Sequence, residues 1–355
     1  MDNLTHSLVG ALLGQAGLKR KTGLAMPALI IGANLPDVDA ACFFWLEGVE
    51  HLGFRRGITH GPPALVILPL ILAGLLYGFD RWQAKRGKRP EGRLPVSFKW
   101  LFLLSFIGCL THPALDWLNV YGIRLLEPFS SQWFYGDTLF IIDIWLWALM
   151  GFAVWFSLRR ERRGGNWTRP ARIAILFVLA YIGGNYAFSR DMAQFGSLDV
   201  SFEKPIPAPV PLAFWRRDLI FSDRNGRYLV LPGYSDFSRA GTRSIRLGDG
   251  FIPSCDLAEL RRTNSQVDAF LFWSRVPMVE RRGDGSLWLR DARFADPMVG
   301  DRFSVPLPSD SCSEYFNWRQ DRGASPPDYP PPPSPGDTAP PPPETPSLRR
   351  PASRP

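Results

Sequence analysis

The 355-residue sequence holds little cysteine, four residues in all, and no Cys-x-x-Cys pair. That spacing excludes a thiolate zinc cluster and a thioredoxin-like redox motif. Cys42 and Cys109 lie in apolar stretches, where a free thiol behaves as a small hydrophobe. Cys255 and Cys312 lie in polar sequence and are able to pair in an oxidising compartment. Histidine is as scarce: His6, His51, His60 and His112 are the full set, all in the first third. No internal repeat is present. The start of the chain lacks the basic n-region and the Ala-x-Ala site expected of a cleaved signal peptide. Residues 191–355 have no long apolar run, and fourteen of the 34 prolines fall in the last 30 positions. A homogeneous soluble globule is therefore excluded.

Residues 62–79, 98–118 and 139–158 are nearly continuous apolar runs, and 171–188 is a fourth, diluted by Gly183, Gly184 and Asn185. Each approaches the ~20 residues that cross ~30 Å of hydrocarbon. Two further apolar stretches, 4–18 and 24–46, are joined by Lys19-Arg20-Lys21 and read as a hairpin that either spans or re-enters. The net charge of +8, from 41 basic and 33 acidic residues, is concentrated in two loops. Residues 80–99 carry seven Lys or Arg and 159–172 carry six, whereas 119–138 holds only Arg124. The positive-inside rule assigns the basic loops to the cytoplasm, and 119–138 with everything after the fourth span to the outside. The basic character thus reflects topology, and no nucleic-acid partner is required. Trp45, Trp117, Trp133 and Trp145 read as interfacial anchors.

The expected architecture is an all-α polytopic membrane domain of four to six apolar helices (1–190), a small β-rich extracytoplasmic domain (191–323), and a disordered Pro-rich tail (324–355). Residues 191–204 read as a connector and 205–211 as extended chain. Residues 228–231, 269–273 and 286–289 read as strands, separated by turn signals such as Asn225-Gly226, Gly248-Asp249-Gly250 and Gly283-Asp284-Gly285.

Ionisable groups inside apolar segments are functional candidates by default, and here they share one level. Asp2 and His6 lie at the outer end of the first stretch. Asp37 and Asp39 lie toward the outer end of the second, where Pro36 interrupts a helix. His60 precedes the first long span, His112 and Asp116 occupy the outer half of the second, and Asp137 and Asp143 open the third. His112-x-x-x-Asp116 places both side chains on one helical face, and Asp2-x-x-x-His6 does the same in reverse order. Imidazole with carboxylate suits Zn²⁺, with Mn²⁺ or Fe²⁺ as alternatives. Taken singly, Asp2 and Asp137 read equally as helix or turn caps, Asp39 as a turn group, and His51 as solvated. Arg55 and Arg56 suit either an anionic substrate or lipid head groups.

The stretches Met1–Ser7, Asn34-Leu35-Pro36-Asp37-Val38-Asp39, Arg56-Gly57-Ile58-Thr59-His60 and Thr111–Asn119 resemble, in order, the YdjM-like family of inner-membrane, metal-dependent hydrolases. Tyr121-Gly122, Pro128-Phe129-Ser130, Asp137 and Phe140-Ile141-Ile142-Asp143 continue the likeness, which covers about residues 1–158. The resemblance implies a bacterial inner-membrane location, His6, Asp37, His60, His112 and Asp116 as metal ligands, and a remote similarity to zinc-dependent phospholipase C and P1-type nuclease. Arg55 stands where many relatives carry His, which argues for one or two metals rather than three. The expected function is a membrane-bound metal-dependent hydrolase acting at the outer-leaflet boundary. Asp39, Arg55 and Arg56 are its candidate catalytic groups, Asp2, Asp137 and Asp143 are additional metal or outer-shell candidates, and the expected substrate is an ester, by analogy a phosphoester, a lipid head group among the candidates. The rival expectations are a metal or proton transporter and a non-catalytic interaction protein.

Overall fold

The structure is a computed structural model that describes residues 1–194, 203–222, 228–234, 255, 257–294, 299–309 and 311–312. The turn signals at 225–226 and 248–250 and the tail at 324–355 lie outside the described residues. The first half is helical: α1 (Asn3–Gln15), α2 (Ala25–Gly32), α3 (His51–Phe54), α4 (Pro62–Lys85), α5 (Phe98–Trp117), α6 (Ile144–Arg162) and α7 (Thr168–Met192). Helices α4, α5 and α7 are long and apolar enough to cross a membrane. A fourth span is formed if α2 and the 3₁₀ segment Leu35–Phe44, bent by 54° at their break, count as one. The expected run at 139–158 is helical only from Ile144, because Asp143 caps α6 by accepting the Trp145 and Leu146 backbone N–H groups at 3.0 Å. Its apolar stretch stops at Arg159, and α6 falls short of the hydropathy of the other three.

The first hairpin is built into the bundle by close backbone contact. A Cβ at Gly108 of α5 would meet the Leu29 carbonyl at 2.6 Å, and one at Gly10 of α1 would meet the same carbonyl at 2.7 Å. Glycine is therefore required where α1 and α5 converge on α2. His6 lies one turn before Gly10 and His112 one turn after Gly108, so the same contact sets both imidazoles. The Lys19–Arg20 turn reaches the opposite end, where Lys19 pairs with Glu161 and both Lys19 and Arg20 cover the Trp167 ring.

The second half is a small β-sheet region. Strands β1 (Ile206–Val210), β2 (Ala213–Ser222) and β3 (Tyr228–Tyr234) form one antiparallel sheet in that order. Its prolines, Pro207 and Pro209 on β1 and Pro232 on β3, sit on the two edge strands, the place a sheet tolerates them. Two helices follow, α8 (Leu257–Thr263) and α9 (Ser265–Trp273), then β4 (Pro277–Arg281), β5 (Leu287–Asp291) and β6 (Ser304–Leu307), again antiparallel in chain order. Cys255 and Cys312 are joined in a disulfide.

The expected strand at 269–273 is the end of α9. Asn264 caps that helix by accepting the Gln266 and Val267 N–H groups, and Val267, Phe270 and Trp273 recur every three residues on its buried face. The helical period, not β propensity, decides. These three side chains join Leu52, Val120, Tyr121 and Phe140 of the helical half in one core. Full burial of each large apolar side chain is worth about 1.5–3 kcal/mol, so the β-sheet region is firmly seated on the loops of the bundle.

Candidate metal centre

Four separate pieces of chain bring five side chains to a common point: α1 (His6), the 3₁₀ segment Leu35–Phe44 (Asp37), the 3₁₀ turn Ile58–His60 (His60), and successive turns of α5 (His112, Asp116). The broken helix is what delivers Asp37. Asn34 at the break donates to the Ile30 carbonyl at 2.8 Å and to Ser7 Oγ of α1 at 3.0 Å, holding the bend against the first helix.

Asp116 is the hub. His6 Nε2 lies 3.4 Å from its Oδ1, while His112 Nε2 and His60 Nε2 lie 3.5 and 3.6 Å from its Oδ2. His112 Nε2 is also 3.7 Å from Asp37 Oδ1, and the His6 and His112 rings stack at 3.7 Å. His6, Asp37 and His112 form one group able to hold an ion, and His60, His112 and Asp116 form a second that shares His112. Two ligands ~2.1 Å from one ion at a tetrahedral angle lie about 3.4 Å apart. The spacings of 3.4–3.7 Å are close to that separation and longer than ordinary hydrogen bonds.

The unmade hydrogen bonds say the same. His6 Nδ1 and Nε2, His60 Nε2, His112 Nε2 and both Asp116 oxygens are buried with no hydrogen-bond partner of proper geometry. The Met1 amino nitrogen and Arg56 Nε, 3.1 Å from Oδ2, lie against the Asp116 oxygens as charges. An unsatisfied buried polar group costs about 1–3 kcal/mol, and several at one point call for a ligand. The remaining ring nitrogens that have partners are turned the right way. His112 Nδ1–H donates to the Ala33 carbonyl at 2.7 Å, leaving the Nε2 lone pair facing the cluster. His60 Nδ1 lies 3.0 Å from Thr59 Oγ1, whose hydroxyl donates to Asp39 Oδ2 at 3.2 Å.

Asp39 therefore stands behind His60 rather than in the ion-holding groups. It also accepts the Arg56 backbone N–H at 2.8 Å and Arg55 Nε at 3.2 Å. That bond to the Arg56 N–H holds Arg56 in a left-handed conformation, φ 57°, which a non-glycine residue adopts only when its surroundings impose it. Arg56 is buried, its Nη1 donating to Asn119 Oδ1 (3.0 Å) and the Gly122 carbonyl (3.2 Å), its guanidinium over the Tyr121 ring at 4.3 Å. It is a support of Asp116. Arg55 differs: its side chain is 24% exposed and spans Asp37 (2.6 Å) and Asp39 on the surface side of the cluster.

The other expected candidates have different partners. Asp2 caps α1, accepting the Leu4 and Thr5 N–H groups at 3.0 Å and the Thr5 hydroxyl. Asp137 pairs with Arg275 of the β-sheet region at 2.8 Å. Asp143 caps α6 and accepts the Tyr181 hydroxyl at 2.8 Å. His51 lies outside the cluster, its Nδ1 3.0 Å from the Gly48 carbonyl. Trp133, expected at the interface with lipid, instead packs edge-on against Phe272.

Three supports were not singled out from sequence. Asn119 orients both Arg56 and the Tyr121 N–H. Tyr121 carries Trp273 of α9 on its other side, with Trp273 Nε1 donating to the Tyr121 carbonyl at 3.1 Å. Burial pushes the Tyr121 hydroxyl up to about 12, so it stays neutral beneath Arg56. Arg124 donates to the Gly53 and Phe54 carbonyls at 2.9 Å and fixes the turn before Arg55. A polar or aromatic residue one turn past Asp116 was the available signal.

Residues 1–192, the whole helical half, match the family described as YdjM inner membrane protein. A Bacillus subtilis (strain 168) protein, "Uncharacterized protein YfhP", is 28% identical over 167 residues, 44% of this chain and 47% of that one. The chain thus matches about half the length of that relative. No solved structure matches. The match over residues 1–192, more than half of the chain and all seven helices of its helical half, places this chain in the YdjM inner membrane protein family.

Proposed function

We propose that the protein is a membrane-bound, metal-dependent hydrolase of esters, a phosphoester before others. The observation that carries this reading is the set of buried imidazole Nε2 atoms of His6, His60 and His112, all without hydrogen-bond partners and all aimed at Asp116. His6, Asp37, His60, His112 and Asp116 hold one or two divalent cations, Zn²⁺ by donor chemistry, with Mn²⁺ or Fe²⁺ also suited. A cation held there supplies Lewis acidity and lowers the pKa of a coordinated water to about 7. Asp39, through Thr59, keeps His60 in the tautomer that presents Nε2. Arg56 fixes Asp116, and Arg55 on the surface side offers its guanidinium to an anionic ester.

The hydrolytic end faces away from the cytoplasm in this reading, as does the β-sheet region seated on it. Two features support that orientation: the Lys19–Arg20 turn lies with the basic loops at the other end, and the Cys255–Cys312 disulfide belongs to an oxidising compartment. A transporter calls for ionisable groups at several depths. Among the described residues, the buried ionisable groups of the helices gather instead at two levels, with Asp80 paired to Arg89 and Arg93 at the basic end.

Elemental analysis of the detergent-purified protein beside His112→Ala tests the reading. The expected result is about one to two divalent metals per chain in the wild type, with loss to background in the variant. Hydrolysis of phosphodiester and phosphomonoester panels should fall with it. Unchanged metal content in His112→Ala would refute the site.

A further inference from the structure

The surface beside Arg55, next to the metal centre, is ringed by large apolar side chains that the fold leaves uncovered. Val38 separates Asp37 from Asp39, Phe54 precedes Arg55, and Ile58 lies just before Thr59 and His60; all three are exposed, while Asp37, Asp39 and His60 are buried. Phe43, Phe44 and Trp45 complete the rim, with Phe44 91% and Trp45 59% exposed. Phe43 lies beneath the Arg55 guanidinium at 5.7 Å, and Trp45 meets Phe54 edge-on at 6.1 Å. The rim therefore surrounds Arg55, the half-buried side chain that lies against Asp37 of the cluster.

Two further observations fix what this rim faces. It runs directly into α4, whose first turns expose Val66, Ile67, Leu70 and Ile71 on a helix long enough to span a bilayer. The opposite side of the turn carrying Arg55 is covered: α9 packs on α3, with Ala269 against Gly53 and Trp273 on Tyr121. The approach on that side is thus roofed by the β-sheet region, and the uncovered approach continues the lipid-facing wall. Aromatic and Arg side chains mixed at such a level are the composition of a membrane–water boundary.

We infer that the centre is entered from the bilayer, and that its substrate is an anionic amphiphile whose phosphate-type head meets Arg55 while its acyl chain lies along the rim. This rests on the hydrolytic reading for the reaction, but not for the location of the rim. A lipid molecule, not a protein, is the occupant: the surface is continuous with the lipid-facing span, and at its centre stands the Arg55 guanidinium, held between Asp37 and Asp39.

Two measurements on the full-length protein in phosphatidylcholine–phosphatidylglycerol nanodiscs or vesicles test it. The free cysteines are buried and the other two are joined, so a spin label on Phe44→Cys reports one position. Collisions with oxygen should exceed those with a water-soluble nickel chelate, placing the label about 5–10 Å below the head groups. A label fully accessible to nickel would overturn the inference. In the second arm, Phe44→Ser with Trp45→Ser should lower hydrolysis of a vesicle-embedded phosphoester lipid about tenfold and leave a water-soluble phosphodiester within about twofold. Equal losses on both substrates, or none on the lipid, would also overturn it. If the wild type hydrolyses neither substrate, the hydrolase reading fails, and the depth of the label still decides where the rim lies.

Discussion

Asp291 of the β-sheet region and Asp116 of the helical bundle are both wholly buried carboxylates, and their surroundings are opposite. Asp291 is saturated: Arg293 Nε and Nη2 each donate at 2.8 Å, Ser274 Oγ at 2.6 Å and the Arg275 and Arg293 backbone N–H groups at 3.1 and 2.9 Å. Burial alone would raise its pKa, but Arg293 and these donors outweigh it and hold the carboxyl below the usual range. Asp116 has the Met1 amino group and Arg56 Nε against it as charges, but it faces three imidazole nitrogens at 3.4–3.6 Å and completes no hydrogen bond of proper geometry. A buried charge that is fully bonded is part of the scaffold. One that is left open, among other open groups, is a place for something else to bind.

The contrast can be broken from the saturated side. Asp291→Ala leaves Arg293 buried without its partner, and the expected loss is about 3–5 kcal/mol of stability in the β-sheet region, read by thermal or denaturant unfolding. A loss below about 1 kcal/mol would show that the pair does not hold the region together. Next in size is the outer support of the open site. Asp39→Asn weakens the brace behind His60, and metal affinity should fall about 10–100-fold, measured by competition with a chelator, with little change in the unfolding midpoint. The smallest effect carries the most contrast. His6 has no partner at either ring nitrogen, so His6→Leu should leave the metal-free protein as stable or raise its stability by about 1 kcal/mol, while metal binding is lost. A large destabilisation there would mean that His6 is structural.

Much of this centre was legible because helical spacing is local. His112 and Asp116, four residues apart, had to share a face, and Pro36 marked the break that turns Asp37 inward. Asp39 was less legible: a 3₁₀ turn advances ~120° per residue, so two residues past Asp37 it points to a different side, behind His60. Arg55 and Arg56 are adjacent and look alike in sequence, yet the left-handed backbone at Arg56 sends one guanidinium into the protein and leaves the other on the surface side of the cluster. The strand expected at 269–273 failed because apolar Ala269–Trp273 was read without its cap at Asn264. The roof over the site was invisible in principle, since Trp273 meets Tyr121 across a sequence separation of 152 residues.

X-ray absorption at the metal edge of the loaded, detergent-purified protein addresses the central claim most directly. The account predicts a first shell of nitrogen and oxygen only, at about 2.0–2.2 Å, with the outer-shell scattering of two or three imidazoles. A shell containing sulfur, or one without imidazole scattering, would contradict it.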